Sequence, residues 1–507
     1  MQPVVTADEM RALDRATIDD IGIPGLTLME TAGRAVAAAA LEMLGGEVGH
    51  VAVVCGPGNN GGDGFVAARV LRDRGVDAAC YLAVPATAIR GDARAHLEIF
   101  ERAGGLVWSI ATPTELGERG GAVRDAALVI DALFGIGPLR PIEGHLAEVV
   151  AHLNAARRRL AVDIPSGLDA DTGRVAGVAV EADRTVTMGA LKIALVSAPG
   201  FTRCGDVTVA DIGIPARVMA AAPPRAWLVE EADVRRWLPR PGALDHKGTR
   251  GHVLVVGGAP EMRGAGRLAA AAALRAGAGL VTLAGDGAVD APDAVMTRSL
   301  DGAAGGARGG GLGPALARKS AVVIGPGLGR SDVARARVDE VLAAGIPAVL
   351  DADALNLLAA EPGVIARAAA PIVITPHPAE AGRLLGIHAA AVESDRLHAA
   401  RALAATTRAV VVLKGARTIV CDGTRGDDHC AIHPTGSPAL ATGGTGDVLA
   451  GMIGGLLAQG MAPGDAARAA VFVHGRAGEA LEAVHGRGAV SSDLPLAIAS
   501  VLGQLTR

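Results

Sequence analysis

Residues 435–460 read TGSPALATGGTGDVLAGMIGGLLAQG, with one carboxylate, Asp447, directly ahead of an apolar run of helical length. Glycines let backbone amides approach a ligand, and the start of a helix offers unpaired N–H groups and the positive end of a dipole. Such a loop binds anions, and the same dipole would hold Asp447 ionised as a base. The stretch therefore predicts phosphoryl transfer to a hydroxyl. Alternatively, the GTGD motif is only a glycine-rich start of a helix, with Asp447 as its cap.

Length and composition exclude several classes of protein. The chain has 507 residues, which is long enough for two or three domains. Aromatic residues make up 2% and the formal net charge is −5, so we expect no nucleic-acid or membrane partner. The five cysteines form no CxxC pair, and neither a signal peptide nor a membrane-spanning run is evident. We expect a soluble cytoplasmic protein with reduced cysteines and no structural zinc.

Short apolar runs alternate with amphipathic segments through most of the chain after a helical lead at residues 8–44. Alternation of this kind predicts an α/β fold, with parallel sheets covered by helices on both faces. A cluster of prolines and charges interrupts the pattern at residues 212–245, which places a domain boundary near residue 220. The strand-like runs lie at 50–55, 77–84, 105–110, 126–135, 159–167 and 184–191, and again at 252–258, 278–285, 321–329, 346–358, 371–386 and 409–423.

The first half carries a glycine-rich turn, GPGNNGGDGFVAARVL, after its first long strand. It satisfies GxGxxG at Gly56, Gly58 and Gly61, but a dinucleotide site also needs an acid at the end of the second strand. Asp77 precedes that strand, which makes ordinary dinucleotide binding less favoured.

Other polar residues end strands of this half, where ligands bind in an open parallel sheet. Asn60, Asp131 and Ser166 could offer hard oxygen ligands to a cation, and Asp163 with Lys192 could form an acid–base pair. Alternatively, each aspartate only caps the loop or helix that follows it. Agreement among four strand ends favours the functional interpretation.

The segments GPGNNGGDGFVAAR, DALFGIGPLRPIEG, VDIPSGLDADTG and GDVTVADIGIP resemble the NAD(P)H-hydrate epimerase domain over residues 1–216. The resemblance implies a Rossmann-like doubly wound fold that interconverts the R and S hydrates of NADH and NADPH. It also implies a potassium ion held by Asn60, Asp131 and Ser166. Ile136, Pro138 and Ile193 depart from the family pattern. These departures affect the expected shape of the loop more than the expected activity. The implied hydrate-binding residues are Asn59, Asn60, Gly61, Gly62, Asp63, Gly135, Ile136, Gly137, Pro138, Leu139, Arg140, Pro141 and Asp163.

In the second half, polar and glycine-rich segments again follow apolar strands, as GPGLG, DADALN, TPHPAE and KGART. Lys414 and Arg417 could supply positive charge for phosphate, and Asp447 the base. His377 stands between two prolines and could be a turn residue only, but its neighbours favour a substrate contact. The P-loop motif GxxxxGK[ST] is absent from the sequence.

These segments, with HKGTRGHVLVVGG and AALRAGAGLVTLA, resemble in order the ADP-dependent NAD(P)H-hydrate dehydratases of the ribokinase-like superfamily. The resemblance covers residues 245–475 and implies a ribokinase-like α/β domain at 225–507. It implies hydrate contacts from Ala265, Gly327, His377 and Asp447, of which Ala265 in MRGAG fits the pattern least. Magnesium would accompany ADP. The implied nucleotide-binding residues are Lys414, Gly415, Ala416, Arg417, Thr418 and Gly446.

Together the two resemblances imply a bifunctional repair enzyme. Phosphorylation turns the hydroxyl of the hydrate into a good leaving group, with Asp447 taking the proton, and the products would be NAD(P)H, AMP and phosphate. The epimerase would use Asp163 and Lys192 for protons. The implied partners are the small molecules NADHX, NADPHX and ADP, and a homo-oligomer is expected. The alternatives are a ribokinase-like small-molecule kinase with an N-terminal nucleotide-binding regulatory module and a non-enzymatic binding protein.

Overall fold

The computed structural model describes residues 1–138, 140–221, 224–240, 242–286, 289–300, 311–424 and 429–507. The chain divides into two compact units, one formed by Pro3–Arg225 and the other by Ala226–Arg507 with Met1–Gln2. Both units are α/β with parallel strands, so the predicted fold class is confirmed.

Helices and strands alternate through the N-terminal unit. The helical lead is two helices separated by a π-helical turn at Ala16–Asp20 and a break around Pro24. The helices are α1 (Ala7–Arg15), α2 (Gly25–Leu44), α3 (Asn59–Asp73), α4 (Gly91–Arg102), α5 (Pro113–Arg124), α6 (Gly144–Ala155), α7 (Ile193–Val196) and α8 (Ala216–Ala221). The strands are β1 (Gln2–Val5), β2 (Val51–Cys55), β3 (Ala78–Leu82), β4 (Leu106–Ser109), β5 (Leu128–Ala132), β6 (Arg159–Val162), β7 (Arg184–Met188), β8 (Leu191–Lys192) and β9 (Asp206–Ala210).

The main sheet of this unit has the strand order β4-β3-β2-β5-β6-β7-β9, and every pair in it is parallel. The chain runs outward from β2 to β4 and then returns to β5 on the other side of β2, which is a doubly wound arrangement. β1 pairs in parallel with β8. Ligands bind such sheets where the order reverses, which is here between the ends of β2 and β5.

The C-terminal unit contains the following elements among its described residues. The strands are β10 (Ala226–Leu228), β11 (His252–Val256), β12 (Leu280–Gly285), β13 (Met296–Ser299), β14 (Ala321–Ile324), β15 (Ala348–Leu350), β16 (Ile372–Ile374), β17 (Val410–Leu413), β18 (Ile419–Asp422) and β19 (Cys430–Ile432). The helices are α9 (Glu231–Trp237), α10 (Arg263–Arg275), α11 (Gly313–Leu316), α12 (Asp332–Ala343), α13 (Asp353–Leu358), α14 (Pro378–Leu385), α15 (Ala389–Ser394), α16 (Arg396–Thr407), α17 (Thr445–Ala458), α18 (Pro463–His485) and α19 (Leu494–Leu505).

Parallel pairing joins the strands of this unit in the order β13-β12-β11-β14-β15-β16-β17. β18 and β19 then continue the sheet in antiparallel pairs, and β10 pairs in parallel with β19. The run at 409–423, predicted as one strand, is therefore two strands joined by the turn that contains Lys414.

Helix α17 is the apolar part of the stretch 435–460, and it is buried from Val448 to Ala458. A helix that is apolar all round belongs in a protein core. Its glycines allow a close approach to the alanine-rich α10, because a Cβ on Gly451 would lie 2.0 Å from the Ala269 carbonyl oxygen. The start of α17, with Asp447 in its first turn, is fixed by this packing.

The cysteines differ in part from the sequence prediction. Cys55, Cys80 and Cys204 are free and buried, as expected for reduced thiols. Cys421 and Cys430 form a disulfide because they lie opposite each other on the antiparallel strands β18 and β19. The expectation of reduced cysteines is therefore wrong for this pair. Across the described residues, we find no helix with the length and apolar character needed to span a membrane.

Candidate active sites

A cavity of about 700 Å³ lies in the N-terminal unit. It is bordered by the carboxyl ends of β2, β5 and β6, where the sequence placed the ligand, and by α1 and α2. The predicted residues on its lining are Asn59, Asn60, Asp63, Gly135, Ile136, Gly137, Pro138, Arg140, Pro141, Asp163 and Lys192. Leu139 lies outside the described residues.

Gly61 and Gly62 do not line this cavity. A Cβ on Gly61 would lie 2.2 Å from the carbonyl oxygen of Gly56, and one on Gly62 would lie 2.3 Å from the sulfur of Met29. Both glycines therefore let the start of α3 pack against the loop after β2 and against α2. Their contribution to the cavity is to place Asn60 and Asp63, whose side chains border it.

Asp163 and Lys192 form a buried ion pair at the cavity, with 2.5 Å between Nζ and Oδ1. Lys192 also donates to Thr187 Oγ1 at 3.0 Å and to the Met188 carbonyl oxygen at 2.8 Å, so its three protons are all used. Asp163 Oδ1 additionally accepts from Thr187 Oγ1 and the Met188 amide. Asp163 has a φ of +65°, which few residues other than glycine, asparagine and aspartate adopt.

Asp131 and Ser166 lie beneath the cavity and are linked by two hydrogen bonds. Ser166 Oγ donates to Asp131 Oδ1 at 2.7 Å, and the Ser166 amide donates to Oδ2 at 2.8 Å. Burial raises the pKa of Asp131 to about 6, although the hydrogen bonds from Ser166 and Leu133 oppose the rise. Among the described residues Asp131 forms no ion pair, and a buried carboxylate without a cation is costly.

Asn60 completes this group of oxygen ligands. Its Nδ2 donates to the carbonyl oxygens of Phe134 and Val162, both at 2.8 Å, which directs Oδ1 toward Gly135. The predicted cation ligands Asn60, Asp131 and Ser166 are thus tied to one another through the Phe134 backbone, since Ser166 Oγ also accepts from the Phe134 amide at 2.9 Å. A carboxylate, an amide oxygen and a hydroxyl are suitable ligands for a hard cation.

Three charged lining residues were missed by the sequence prediction, Asp14 and Arg11 of α1 and Asp92 of α4. Arg11 donates to the carbonyl oxygen of Ile136 at 2.8 Å and so holds the loop after β5. Burial raises the pKa of Asp14 to about 6, Lys192 lowers it and Asp163 raises it further. Helical spacing could have identified Asp14, because it follows the buried Met10 by one turn and so lies on the same face of α1.

The candidate site of the C-terminal unit lies at the ends of four adjacent parallel strands. Gly325 follows β14, Asp351 follows β15, His377 comes shortly after β16, and Lys414 follows β17. These strands are in the order β14-β15-β16-β17, so the segments GPGLG, DADALN, TPHPAE and KGART meet at one edge of the sheet.

Lys414 places a positive charge at this edge of the sheet. Its Nζ lies 2.8 Å from Asp351 Oδ1 and 3.9 Å from Glu380 Oε2. Burial alone would lower the pKa of Lys414, but Asp351 and Glu380 outweigh it and raise the pKa above its ordinary value. Gly446 adjoins this ammonium, because a Cβ at Gly446 would lie 3.2 Å from Lys414 Nζ. Two of the predicted nucleotide-binding segments are thereby brought together.

Asp447 is half-buried in the first turn of α17. Burial raises its pKa to about 7; Asp351 and Glu380 add to the rise, and Lys414 opposes it. The expectation that the helix dipole holds Asp447 ionised is therefore wrong for the free protein, since desolvation and neighbouring carboxylates outweigh the dipole. A carboxyl with a pKa near neutrality is well suited to act as a general base.

His377 caps helix α14. Its Nδ1 accepts from the amide of Ala379 at 3.1 Å, and Glu380 Oε2 accepts from the His377 amide at 2.9 Å. Burial lowers the pKa of His377, with Lys414 and Arg383 acting in the same direction, which keeps the ring neutral and able to accept. His377 therefore has the structural role of a turn residue that caps a helix. Because its side chain is 47% exposed, one face of the ring is still open to a ligand.

Ala265 and Gly327 lie together at the neighbouring strand ends. A Cβ on Gly327 would be 3.3 Å from that of Ala265 and 2.7 Å from the Met262 carbonyl oxygen. Gly327 has a φ of +60°. Its carbonyl oxygen accepts from the Ala259 amide at 2.7 Å, so the loop after β14 and the start of α10 form one surface.

The predicted nucleotide-binding segment 414–418 forms the turn between β17 and β18. Thr418 Oγ1 donates to the Gly415 carbonyl oxygen at 2.9 Å, which closes the turn around Ala416 and Arg417. The sequence prediction missed Arg396 of α16, which is buried and donates to the carbonyl oxygens of Leu413 and Lys414 at 3.3 and 3.2 Å. Arg396 therefore supports the turn from behind.

Two family models match the chain. Residues 253–499 match the family described as NAD(P)H-hydrate dehydratase, and residues 25–194 match the family described as YjeF-related protein N-terminus.

Relatives match over nearly the whole length. The bifunctional NAD(P)H-hydrate repair enzyme of Moorella thermoacetica is 43% identical over 96% of this chain and 93% of its own. The enzyme of the same name from Escherichia coli is 35% identical over 96% of this chain and 92% of its own. A solved structure of the ADP/ATP-dependent NAD(P)H-hydrate dehydratase from Bacillus subtilis, co-crystallised with ATP and Mg²⁺, is 30% identical with a TM-score of 0.48, covering 55% of this chain and 98% of that one.

Proposed function

The chain belongs to the family of bifunctional NAD(P)H-hydrate repair enzymes, and from that premise we propose how its two sites divide the reaction. The N-terminal unit interconverts the R and S hydrates of NADH and NADPH. The C-terminal unit dehydrates the S hydrate to NAD(P)H and consumes ADP, giving AMP and phosphate. The observation that carries the proposal is the placement of Asp447, with a pKa of about 7, beside the Lys414–Asp351 ion pair at the strand ends.

Dehydration requires a better leaving group than hydroxide. We assign Asp447 as the base that takes the proton of the hydrate hydroxyl while that oxygen attacks the terminal phosphorus of ADP. Lys414 offers a fixed positive charge to the phosphate oxygens. The carbon–oxygen bond then breaks with phosphate as leaving group while the ring nitrogen supplies the electron pair. The neighbouring ring carbon then loses a proton to the released phosphate, which forms the carbon–carbon double bond of NAD(P)H and returns the electron pair to nitrogen. We assign the hydrate contacts to Ala265, Gly327, His377 and Asp447.

The nucleotide would lie against the turn after β17 and the start of α17. Asp351, Glu380 and Asp447 face one lysine there, which fits a site that binds Mg²⁺ through one or two carboxylates and the phosphates. Within the described ranges, no group of three or more metal-binding side chains is preformed. When bound, Mg²⁺ would neutralise phosphate charge. We assign nucleotide contacts to Lys414, Gly415, Ala416, Arg417, Thr418 and Gly446.

Epimerisation requires loss of water from the hydroxyl-bearing carbon and its return to the opposite face. The 700 Å³ cavity is large enough for part of a dinucleotide, and its lining includes the acids Asp14, Asp63 and Asp163 and the base Lys192. The fixed Asp163–Lys192 pair would orient the hydrate, with residues 135–138, 140 and 141 and the start of α3 around it. The buried Asp131 and its neighbours fit a potassium ion, whose charge would compensate the carboxylate.

We predict that potassium raises the thermal stability of the N-terminal unit. A ligand that binds only the folded state adds about 2.7 kcal/mol at 100 times its dissociation constant. The melting temperature in potassium chloride should exceed that in tetramethylammonium chloride at equal ionic strength. This difference in melting temperature between the two salts should disappear in Asp131→Asn and shrink in Ser166→Ala. Each variant is measured in both salts, so that its own change in stability cancels. Equal melting temperatures of the unmodified protein in both salts would refute the potassium assignment.

We also predict that dehydration of the S hydrate depends on pH through Asp447. Because the base must be ionised, kcat/KM should rise about tenfold per pH unit below about 7 and level off above it. Glu380→Gln removes a neighbouring negative charge, so the half-maximal pH should move to a lower value. A profile that is flat from pH 5 to 9 in the unmodified enzyme would contradict the assignment of Asp447.

The test of the whole function is to incubate the protein with a mixture of R and S hydrates and ADP. Complete recovery of reduced-nicotinamide absorbance, faster than spontaneous epimerisation allows, is the expected result. Recovery of the S fraction alone would refute the epimerase activity. A stable phosphorylated product instead of NAD(P)H would indicate a kinase.

A further inference from the structure

The N-terminal cavity holds two carboxyl groups that the predicted site leaves without a task, the exposed Asp92 and the partly buried Asp14. Asp14 lies in α1, and its side chain borders the cavity together with Asp63, Asp163 and Lys192. It is partly buried, and among the described residues its carboxyl forms neither a hydrogen bond nor an ion pair. An unpaired carboxyl in a mostly apolar cavity is a candidate for proton transfer.

Asp163, to which the sequence assigned proton transfer, is poorly placed for that task. Asp163 Oδ1 already accepts from Lys192, Thr187 and Met188 at 2.5, 3.1 and 3.2 Å. All three protons of Lys192 are bound as well, and the side chain has no solvent exposure. A proton on either oxygen of Asp163 would remove the negative charge on which its ion pair with Lys192 depends, so the pair is better suited to hold the hydrate.

We propose that Asp14 is a catalytic acid–base residue of the epimerase, working with the carboxyl of Asp63 across the cavity; the inference rests on the proposed epimerase function. In one direction, the Asp63 carboxyl donates its proton to the hydroxyl of the hydrate. The carbon–oxygen bond breaks, water leaves, and the ring nitrogen lone pair forms a carbon–nitrogen double bond. A water molecule then attacks the same carbon from the other face and forms the new carbon–oxygen bond. The electrons of the carbon–nitrogen double bond return to nitrogen, and the Asp14 carboxylate takes the proton released by the water. The net change is the transfer of one proton from Asp63 to Asp14, and in the reverse reaction Asp14 donates the proton and Asp63 accepts it.

The electrostatics of the cavity support this division. The charged groups around Asp14 are Lys192, Asp163 and Asp63, with Arg11 and Arg15 on its own helix and Asp92 and Arg140 elsewhere on the cavity lining. Burial raises the pKa of Asp63 well above its ordinary value, and the charges of Asp163 and Asp14 add to the rise. Both carboxyls therefore have raised pKa values, which suits a pair in which one group donates a proton and the other accepts one.

The experiment compares the full-length protein with its Asp14→Asn, Asp14→Glu and Asp19→Asn variants. Asp19 is an exposed acid in the π-helical turn that follows α1 and does not border the cavity, so Asp19→Asn is the matched control. Epimerisation is followed from pure R hydrate, with the spontaneous rate subtracted. Dehydration of pure S hydrate with ADP is measured in parallel as the reference activity.

Asp14→Asn should lower the epimerase kcat by about 100-fold or more, with a smaller change in KM and an unchanged rate of S-hydrate dehydration. Asp14→Glu should restore part of the rate, and Asp19→Asn should leave it unaltered. In the unmodified protein, epimerase kcat/KM should rise with pH through about 6, and this limb should be missing in Asp14→Asn. In H₂¹⁸O, Asp14→Asn should also lose the enzyme-dependent entry of ¹⁸O into the hydroxyl.

The outcomes separate the two levels of inference. If the unmodified protein does not accelerate epimerisation, the proposed function of the N-terminal unit fails. If it does, but Asp14→Asn retains more than a third of the rate, the assignment of Asp14 is overturned. Should Asp14→Asn not fold, the pH profile of the unmodified protein decides, since a flat profile between pH 5 and 8 also overturns the assignment.

Discussion

Replacing Asp447 with asparagine should lower the kcat of S-hydrate dehydration by about 10²–10⁴-fold, which is the usual contribution of a general base. The asparagine keeps the size and polarity of the side chain but cannot take the proton of the hydroxyl. The binding of ADP should change little, because Lys414 and the turn at 414–418 are retained. The measurement is single-turnover dehydration of S hydrate, with equilibrium binding of ADP measured separately.

The same substitution should make the free protein more stable. The pKa of Asp447 is raised in the folded state, so ionisation costs stability as pH rises from about 4, its unfolded value, to about 7. Below the unfolded pKa the carboxyl is neutral in both states and the cost is absent. The gain in melting temperature of Asp447→Asn over the unmodified protein should therefore grow between these pH values and be constant above about 7. A variant that is inactive and also less stable at pH 8 would indicate a structural defect instead.

Replacing Lys192 with methionine should destabilise the N-terminal unit by about 3–5 kcal/mol, the usual cost of removing one partner from a buried ion pair. Methionine fills a similar volume, but it leaves the Asp163 carboxylate buried beside Asp14 and Asp63 with no positive partner. Epimerase activity should also be lost. The measurement is urea unfolding, monitored by hydrogen exchange of peptides from residues 159–192.

The double variant Lys192→Met with Asp163→Asn is the matched control. It removes both charges of the pair, so much of the lost stability should return while the epimerase stays impaired. If the single variant were as stable as the unmodified protein, the ion pair would not be the main support of this part of the cavity.

The positions that sequence reasoning found share one physical basis. Asp131, Asp163, Asp351 and Lys414 follow or end parallel strands, and the carboxyl ends of such strands meet at one edge whatever the detailed packing. Alternation of apolar and amphipathic segments was therefore enough to predict the parallel strands that carry these residues, although not the antiparallel pairs of β18 with β17 and β19.

The residues that were missed depend on contacts that local spacing does not encode. Asp14 belongs to a helix that precedes the first strand of the main sheet, and it reaches the cavity only because α1 packs there. Arg396 supports Lys414 from the first residue of α16, where the local sequence does not show that the arginine is buried. The protonation of Asp447 was wrongly predicted for a related reason, since burial by the rest of the fold, and not the local sequence, sets its pKa.

The left-handed backbone at Asp163, with its φ of +65°, affects how this position should be studied by mutagenesis. Asparagine tolerates that conformation nearly as well as aspartate, whereas alanine pays about 1 kcal/mol or more in steric strain. Alanine scanning would therefore mix a backbone penalty with the loss of the carboxylate and overstate the importance of the charge. Asparagine isolates the charge, and glycine, which relaxes the backbone, measures the strain by comparison.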